Sequence, residues 1–354
     1  MVAVPGAALQ NLVFFGVLAF ALLMPWRGTD RNEGVISRSR STELKGAGVL
    51  FVIFAHIGYY LVSDHSFLFP LSTFAGTGVN LFLFLSGYGL TASALTRARP
   101  IMEFYVRHVK KLYLPLWLVL VPFFVADYYF LGRWYGGAYV LRSFLGFFPH
   151  ADLYADLDSP LWYVTFAVFL YALFPIVFSR KRPWLSAIAI AALSYAATYF
   201  TPLSDVSYLW MDHWLAFPLG MVVAWLGDVW ASFPRAVRRA QESRYARPAA
   251  VGLLFFAAWY LTLHAGVGTS LEQGISLITL AVVLGFFVLK KRHSALLVWI
   301  GTYSYELYLL HWPILDRYDS LYALMPAWLA TCASLMLVFA LAVFLNRVAR
   351  RLER

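Results

Sequence analysis

The stretch Leu44–Tyr60, LKGAGVLFVIFAHIGYY, is apolar almost throughout between Lys45 and Tyr59, yet it holds one histidine, His56. A run of this kind suits a helix in lipid, where an ionisable side chain is costly and turns toward the bundle interior or a wet cavity. With Lys45 at one membrane edge, eleven residues at about 1.5 Å each carry His56 about 16 Å inward, close to the midplane. A base at that depth can meet reactants from either side. The other reading is a structural histidine bonded to a neighbouring helix, and residue type alone does not separate the two.

Composition extends the reading outward. Hydrophobic residues make up 61% of the 354 and charged residues only 13%, against about 25% charged in an ordinary soluble domain. The expected fold is an all-α integral membrane protein, a single bundle of about eleven transmembrane helices. Apolar runs long enough to cross about 30 Å of hydrocarbon lie at 9–26, 46–63, 75–95, 112–131, 161–179, 184–200, 212–230, 248–264, 272–289, 296–315 and 323–346.

The basic residues test that count, because Lys and Arg collect on the cytoplasmic side of membrane helices. Alternate gaps between the runs hold 25 of the 28 Lys and Arg, leaving Arg133, Arg142 and Arg317 opposite. Eleven crossings, with the amino terminus outside and the carboxy terminus cytoplasmic, follow as the expected topology of a bacterial inner-membrane protein. The net charge of +10 then needs no nucleic acid to explain it, and a basic inner face suits anionic lipid head groups. The first run has no basic segment before it and reads as a membrane helix, not a cleaved signal. The single cysteine, Cys332, falls in the last run, so no disulfide framework is expected.

No gap is long enough for a soluble domain. The longest gap on the outer side, about 132–160, carries Trp134, Tyr135, Asp152, Asp156 and Asp158 between glycines and prolines. The chemistry is therefore expected in or beside the membrane. The histidines are scattered with no pair at metal-ligand spacing on one face, so no metal is expected. His65, His150 and His293 read as interface or loop residues, and His213 and His264 as structural groups near the outer side. Trp134, Tyr135, Trp162 and Trp210 near the outer surface either stack on a ligand or belong to the ordinary aromatic belt.

Three further stretches bear on function. Gly76–Ser93, GTGVNLFLFLSGYGLTAS, threads small residues and Ser86, Gly87 and Tyr88 through a helix, which permits close helix approach or a local break. Phe104–Trp117, FYVRHVKKLYLPLW, sets Arg107, His108, Lys110 and Lys111 just before a helix on the inner side. Gly301–Ile314, GTYSYELYLLHWPI, runs into Pro313, which ends or kinks its helix. At helical spacing Ser304, Tyr308 and His311 fall within about 60° of one another, a polar stripe that does not belong against lipid.

These stretches, in this order and spacing, resemble the acyltransferase-3 family of multi-spanning enzymes that acylate cell-surface sugars. The resemblance runs from about Ser37 to Arg347. It is carried by Lys45 and His56, by Gly78, Val79, Ser86, Gly87 and Tyr88, by Arg107, Lys110, Lys111, Tyr113 and Pro115, by Leu161, Trp162 and Tyr171, and by Gly301, Ser304, Tyr305, Tyr308, Leu309 and His311. It divides the chain into an extra amino-terminal helix with a basic loop (1–35), a membrane acyltransferase domain (36–347) and a basic cytoplasmic tail (348–354). Two positions depart from the family pattern: its common arginine is Lys45 here, which keeps the charge but loses the bidentate fork, and its mid-chain glutamate is missing after Trp162.

The resemblance implies transfer of an acyl group, acetyl first, from cytoplasmic acyl-CoA to a hydroxyl of a carbohydrate or glycolipid acceptor. Lys45, Arg107, Lys110 and Lys111 are the expected partners of the CoA phosphates. His56 is the expected general base and His311 its competitor. Glu306 is either a buried acid or a local pairing partner. Ser86, Tyr88, Trp162, Tyr171, Ser304 and Tyr308 are expected along the substrate path. A membrane transporter of a small acyl-bearing or glycosidic substrate is the alternative, against which stands the lack of a repeated pair of broken helices.

Overall fold

In the computed structural model the residues described are 3–23, 26–28, 36–61, 66–68, 71, 74–97, 99–150, 159–229, 239, 242–264, 272–290, 292–317 and 320–353. Asp152, Asp156, Asp158 and His65 lie outside them, as do the basic residues Arg31, Arg235, Arg238 and Lys291.

The described chain is helical apart from two short strands. In order come α1 (Ala7–Leu23), β1 (Trp26–Gly28), α2 (Arg38–His56), α3 (Ala75–Thr96), α4 (Ile101–Leu131), α5 (Gly137–Phe144), α6 (Trp162–Val177), α7 (Pro183–Ala197), α8 (Ser207–His213), α9 (Ala216–Val229), α10 (Ala246–His264) and α11 (Glu272–Leu289). Then follow β2 (Arg292–Ser294), α12 (Ala295–Thr302), α13 (Ser304–Trp312), α14 (Leu321–Leu324) and α15 (Ala327–Leu352). Each of the eleven apolar runs contains helix. By length and hydropathy alone, five helical stretches among the described residues suffice to cross a membrane: Gly76–Thr96, Ile101–Leu131, Ser207–Gly227, Glu272–Leu289 and Ala327–Leu352.

The differences from the sequence expectation have local causes. The fourth run was expected to start at 112, after the basic cluster, but α4 starts at Ile101 behind Pro100, so Arg107, Lys110 and Lys111 ride inside a 31-residue helix. It stops where Gly132 takes a left-handed φ of 63°. The tenth run is two helices, broken at Tyr303 (φ −116°, ψ 18°), and α13 ends where Pro313 opens a π-turn over Pro313–Arg317. The β1 and β2 strands pair antiparallel, Arg27 opposite His293, a detail that the all-helical expectation does not contain.

Several contacts join the gaps between the apolar runs. On one side β1 pairs with β2, Glu43 bonds Lys290 and His293, and Arg180 donates to the Leu95 carbonyl. On the other, Asn11 bonds the backbone of Ser66 and Leu68, Gln10 accepts from the Trp328 amide, and His150 meets Asp205 at 2.8 Å. The first side is the basic one.

Two glycine crossings set the packing. Helix α2 lies against α12, where a Cβ at Gly46 would run into the backbone of Leu297 and Gly301, and one at Gly301 into that of Thr42 and Gly46. Helix α3 lies against α9, where Gly87 meets the Phe217 carbonyl and Gly220 the Phe84 carbonyl and Tyr88 amide. Small residues here bring backbones together without breaking α3. Helix α2 thereby sits between α3 and α12, and α13 packs on α2, α4 and α15.

Candidate functional site

Two crevices open on the basic side. One, about 370 Å³, is walled by Arg38, Arg97, Arg99, Arg107 and Arg180 together with His108 and Lys111. The other, about 410 Å³, is lined by Lys45, His108, Lys111 and Arg350 and by the hydroxyl-bearing Ser86, Tyr163, Tyr171, Ser304, Tyr305 and Tyr308. They share His108 and Lys111, so they adjoin where α4 passes between them.

The inner crevice is lined by hydroxyl groups whose bonds are made locally. Tyr171 donates to Ser86 Oγ at 3.1 Å, Tyr305 donates to the Leu112 carbonyl at 2.8 Å, and Tyr308 donates to the Pro160 carbonyl. Glu306 Oε1 accepts from Asn346 Nδ2 at 2.5 Å, which is the geometry of a local pair.

Three residues farther along α13 than Tyr308, the two histidines meet. His56 Nδ1 lies 2.7 Å from His311 Nε2, with the rings nearly parallel at 8°. His311 is fully buried, and its Nδ1 lies 2.6 Å from the Tyr308 carbonyl. A carbonyl only accepts, so His311 Nδ1 carries the hydrogen and, in the neutral ring, Nε2 holds the lone pair. His56 Nδ1 must then be the donor, which makes Nε2 of His56 its basic nitrogen. Trp312 stands edge-on to His56 at 5.4 Å, and neither histidine is part of the crevice wall. Tyr308, which touches both the crevice and His311, separates them.

Of the residues expected at the site, Lys45, Arg107, Lys111, Ser86, Tyr171, Ser304, Glu306 and Tyr308 come to the crevices. Lys110, Tyr88 and Trp162 do not. Lys110 is exposed, turned about 100° from Lys111 on the same helix. The Tyr88 hydroxyl instead accepts from the Ile36 amide at 3.4 Å. Trp162 stacks on His213, 5.6 Å between centroids. That histidine is buried and bonded to Asn80 Oδ1 at 2.8 Å, and Asn80 donates to Ser276 Oγ at 3.0 Å, a closed structural chain. Trp210 is buried against Phe166, whereas Trp134 is largely exposed.

Tyr163 and Asn346, which carry no mark in the sequence, line the inner crevice, as do Tyr305 and His108, which stand in the motifs without an expected place on the substrate path. At the base of α2, fully buried Glu43 takes hydrogen bonds from Lys290, from His293 Nδ1 at 2.9 Å and from the Ser294 amide at 2.6 Å, while His293 Nε2 faces Ser39 Oγ at 3.2 Å. His293, read from the sequence as an interface or loop residue, is buried. Burial lowers the pKa of Lys290, and the Glu43 carboxylate opposes that shift. The clamp fixes the basic end of the helix that bears Lys45 and His56.

No curated protein and no solved structure matches the chain. The profile of the acyltransferase-3 family, described as an acyltransferase domain, matches residues 44–347, from the residue before Lys45 to the last turns of α15. The chain therefore belongs to the acyltransferase-3 family and is a multi-pass membrane acyltransferase.

Proposed function

We propose that the protein is an O-acyltransferase that moves an acyl group, acetyl first, from cytoplasmic acyl-CoA to a hydroxyl of a cell-surface or lipid-linked carbohydrate. The basic side is the cytoplasmic one by its charge, with the amino terminus outside. The CoA phosphates are anions suited to Arg97, Arg99, Arg107, Arg180 and Lys111 in the outer crevice. Its pantetheine arm then follows the inner crevice past Lys45 toward Ser86 and Tyr308, and the acyl carbon must pass Tyr308 to reach the histidines.

The observation that carries the mechanism is the His56–His311 pair. A sugar hydroxyl is a weak nucleophile until a base takes its proton. His56 Nε2 takes it, the hydroxyl oxygen bonds to the acyl carbon, the carbon–sulfur bond breaks, and CoA leaves as a thiolate that accepts a proton. His311 holds His56 in the reactive tautomer through the 2.7 Å contact and is a positioning residue. No protein metal enters this scheme.

CoA-thiol release by purified protein in nanodiscs, given acetyl-CoA and a panel of soluble and lipid-linked sugars, tests the reading. Acceptor-dependent release, lost in a folded His56→Ala protein, supports it. Equal turnover by both proteins removes His56 as the base. Absence of release with every donor and acceptor favours the transporter alternative.

A further inference from the structure

The inner crevice holds an amine as well as the hydroxyl groups. Lys45 is part of its wall. The ion pairs among the described residues are Arg99–Glu103, His150–Asp205, Lys290–Glu43 and His293–Glu43, and none of them engages Lys45. Lys45 shares that wall with Lys111, a cation of the same sign. The next residue, Gly46, is pressed against the backbone of Leu297 and Gly301, so the lysine backbone has no freedom to withdraw. A lysine in this setting differs in kind from an arginine: the guanidinium stays charged and inert, whereas an amine relieved of its proton is a nucleophile.

We propose that Lys45 is an acylation site of the enzyme itself. This rests on the reading that acyl-CoA enters the inner crevice. The unprotonated ε-amine attacks the thioester carbonyl, a carbon–nitrogen bond forms, and the carbon–sulfur bond breaks. CoA leaves as the free thiol, carrying the hydrogen lost from nitrogen, and Lys45 remains as a neutral amide. The product removes a positive charge from the crevice and adds an acyl group to its wall, so it opposes binding of the next donor. Because an acceptor hydroxyl competes for the same acyl group, the amide accumulates when acceptor is scarce. Lys111 is the other amine on this wall, but it is exposed and hydrated at the junction of the two crevices, where the donor's anionic head neutralises it.

The test is incubation of the full chain in nanodiscs with acetyl-CoA and no acceptor, followed by intact-mass measurement, peptide mapping and hydroxylamine treatment. Expected is one acetyl group on Lys45, stable to hydroxylamine as an amide is, with the initial rate measured on later addition of acceptor falling in step with the adduct. A Lys45→Arg protein, compared with its own starting rate, should show no such time-dependent loss. Protection from thermal unfolding by CoA is measured in parallel. If CoA protects and thiol is released to acceptor while Lys45 stays unmodified, or only Lys111 is modified, this proposal is wrong and the acyltransferase reading stands. If CoA neither protects nor is formed, both fall together.

Discussion

His56 Nδ1 and His311 Nε2 stand 2.7 Å apart although 255 residues separate them in the chain. The hydrogen between them belongs to His56, because the other nitrogen of His311 is committed to the Tyr308 carbonyl at 2.6 Å. This ordering divides the two rings by role and can be tested by substitution. His56→Ala should lower acyl transfer by about 10²–10⁴-fold. His311→Gln, whose side-chain oxygen can still accept from Nδ1, should keep more activity than His311→Ala. Equal loss in the two His311 proteins would count against the orienting role.

The same pair sets a pH dependence. A base works only unprotonated, so kcat should rise with pH and level off once the pair has lost its extra proton. The acidic limb belongs to His56 and should be missing from the residual activity of His56→Ala. A limb that persists unchanged in that protein would assign it to another group.

Arg107 and Lys110 make a second contrast. Arg107 lines the outer crevice and Lys110 points away from both. Arg107→Ala should raise KM for acetyl-CoA about tenfold, the scale of one charge-assisted hydrogen bond, while Lys110→Ala should stay within about twofold. With acetyl-pantetheine, which lacks the nucleotide phosphates, the difference should vanish. Equal KM values for the two variants with acetyl-CoA would move the phosphate site elsewhere.

The Glu43 clamp is a stability prediction. Lys290 is only 10% exposed and Glu43 not at all, so Glu43→Gln leaves a buried ammonium without its counter-charge, at a cost of about 3–5 kcal/mol. Replacing both, as Glu43→Gln with Lys290→Met, should recover much of that loss. Thermal unfolding in detergent measures both, and a double variant no better than the single one would show that the charge is not the cause.

Glycine substitutions separate packing from propensity. Gly46→Ala and Gly301→Ala force a methyl group into backbone and should lower the unfolding midpoint, by overpacking of at least about 1–3 kcal/mol. Gly252→Ala meets open space and should leave the midpoint unchanged or raise it, since alanine is the better helix former. The same response from all three would rule out the α2–α12 crossing as a tight contact.

The apolar runs, and the single helix that joins Lys45 to His56, were legible because hydrophobic length and helical rise are local quantities. His311 was legible as a buried polar residue, but its bond to His56 was not, since nothing local couples positions 255 residues apart. The partners of Glu43 were hidden for the same reason. Lys110 was grouped with Lys111 because the basic cluster was read as a loop; once α4 is known to begin at Ile101, their rotation of about 100° follows at once. Tyr88 and Trp162 were read by resemblance, and their actual contacts, Ile36 and His213, depend on how α3 and α6 rotate in the bundle. The Tyr163 ring had no motif to mark it, and Tyr305 stood in one that assigned it no role.

The long-range pairs on α2 also bear on how the protein is made. Glu43 finds Lys290 and His293, and His56 finds His311, only after roughly 250 further residues have been synthesised. At about 5–20 residues per second the ribosome needs on the order of 10–50 s for that stretch. For that interval α2 is a hydrophobic segment whose acid and imidazole have none of these partners. Only the arrival of α11, α12 and α13 supplies those partners, so the tenth run completes the polar contacts of the second.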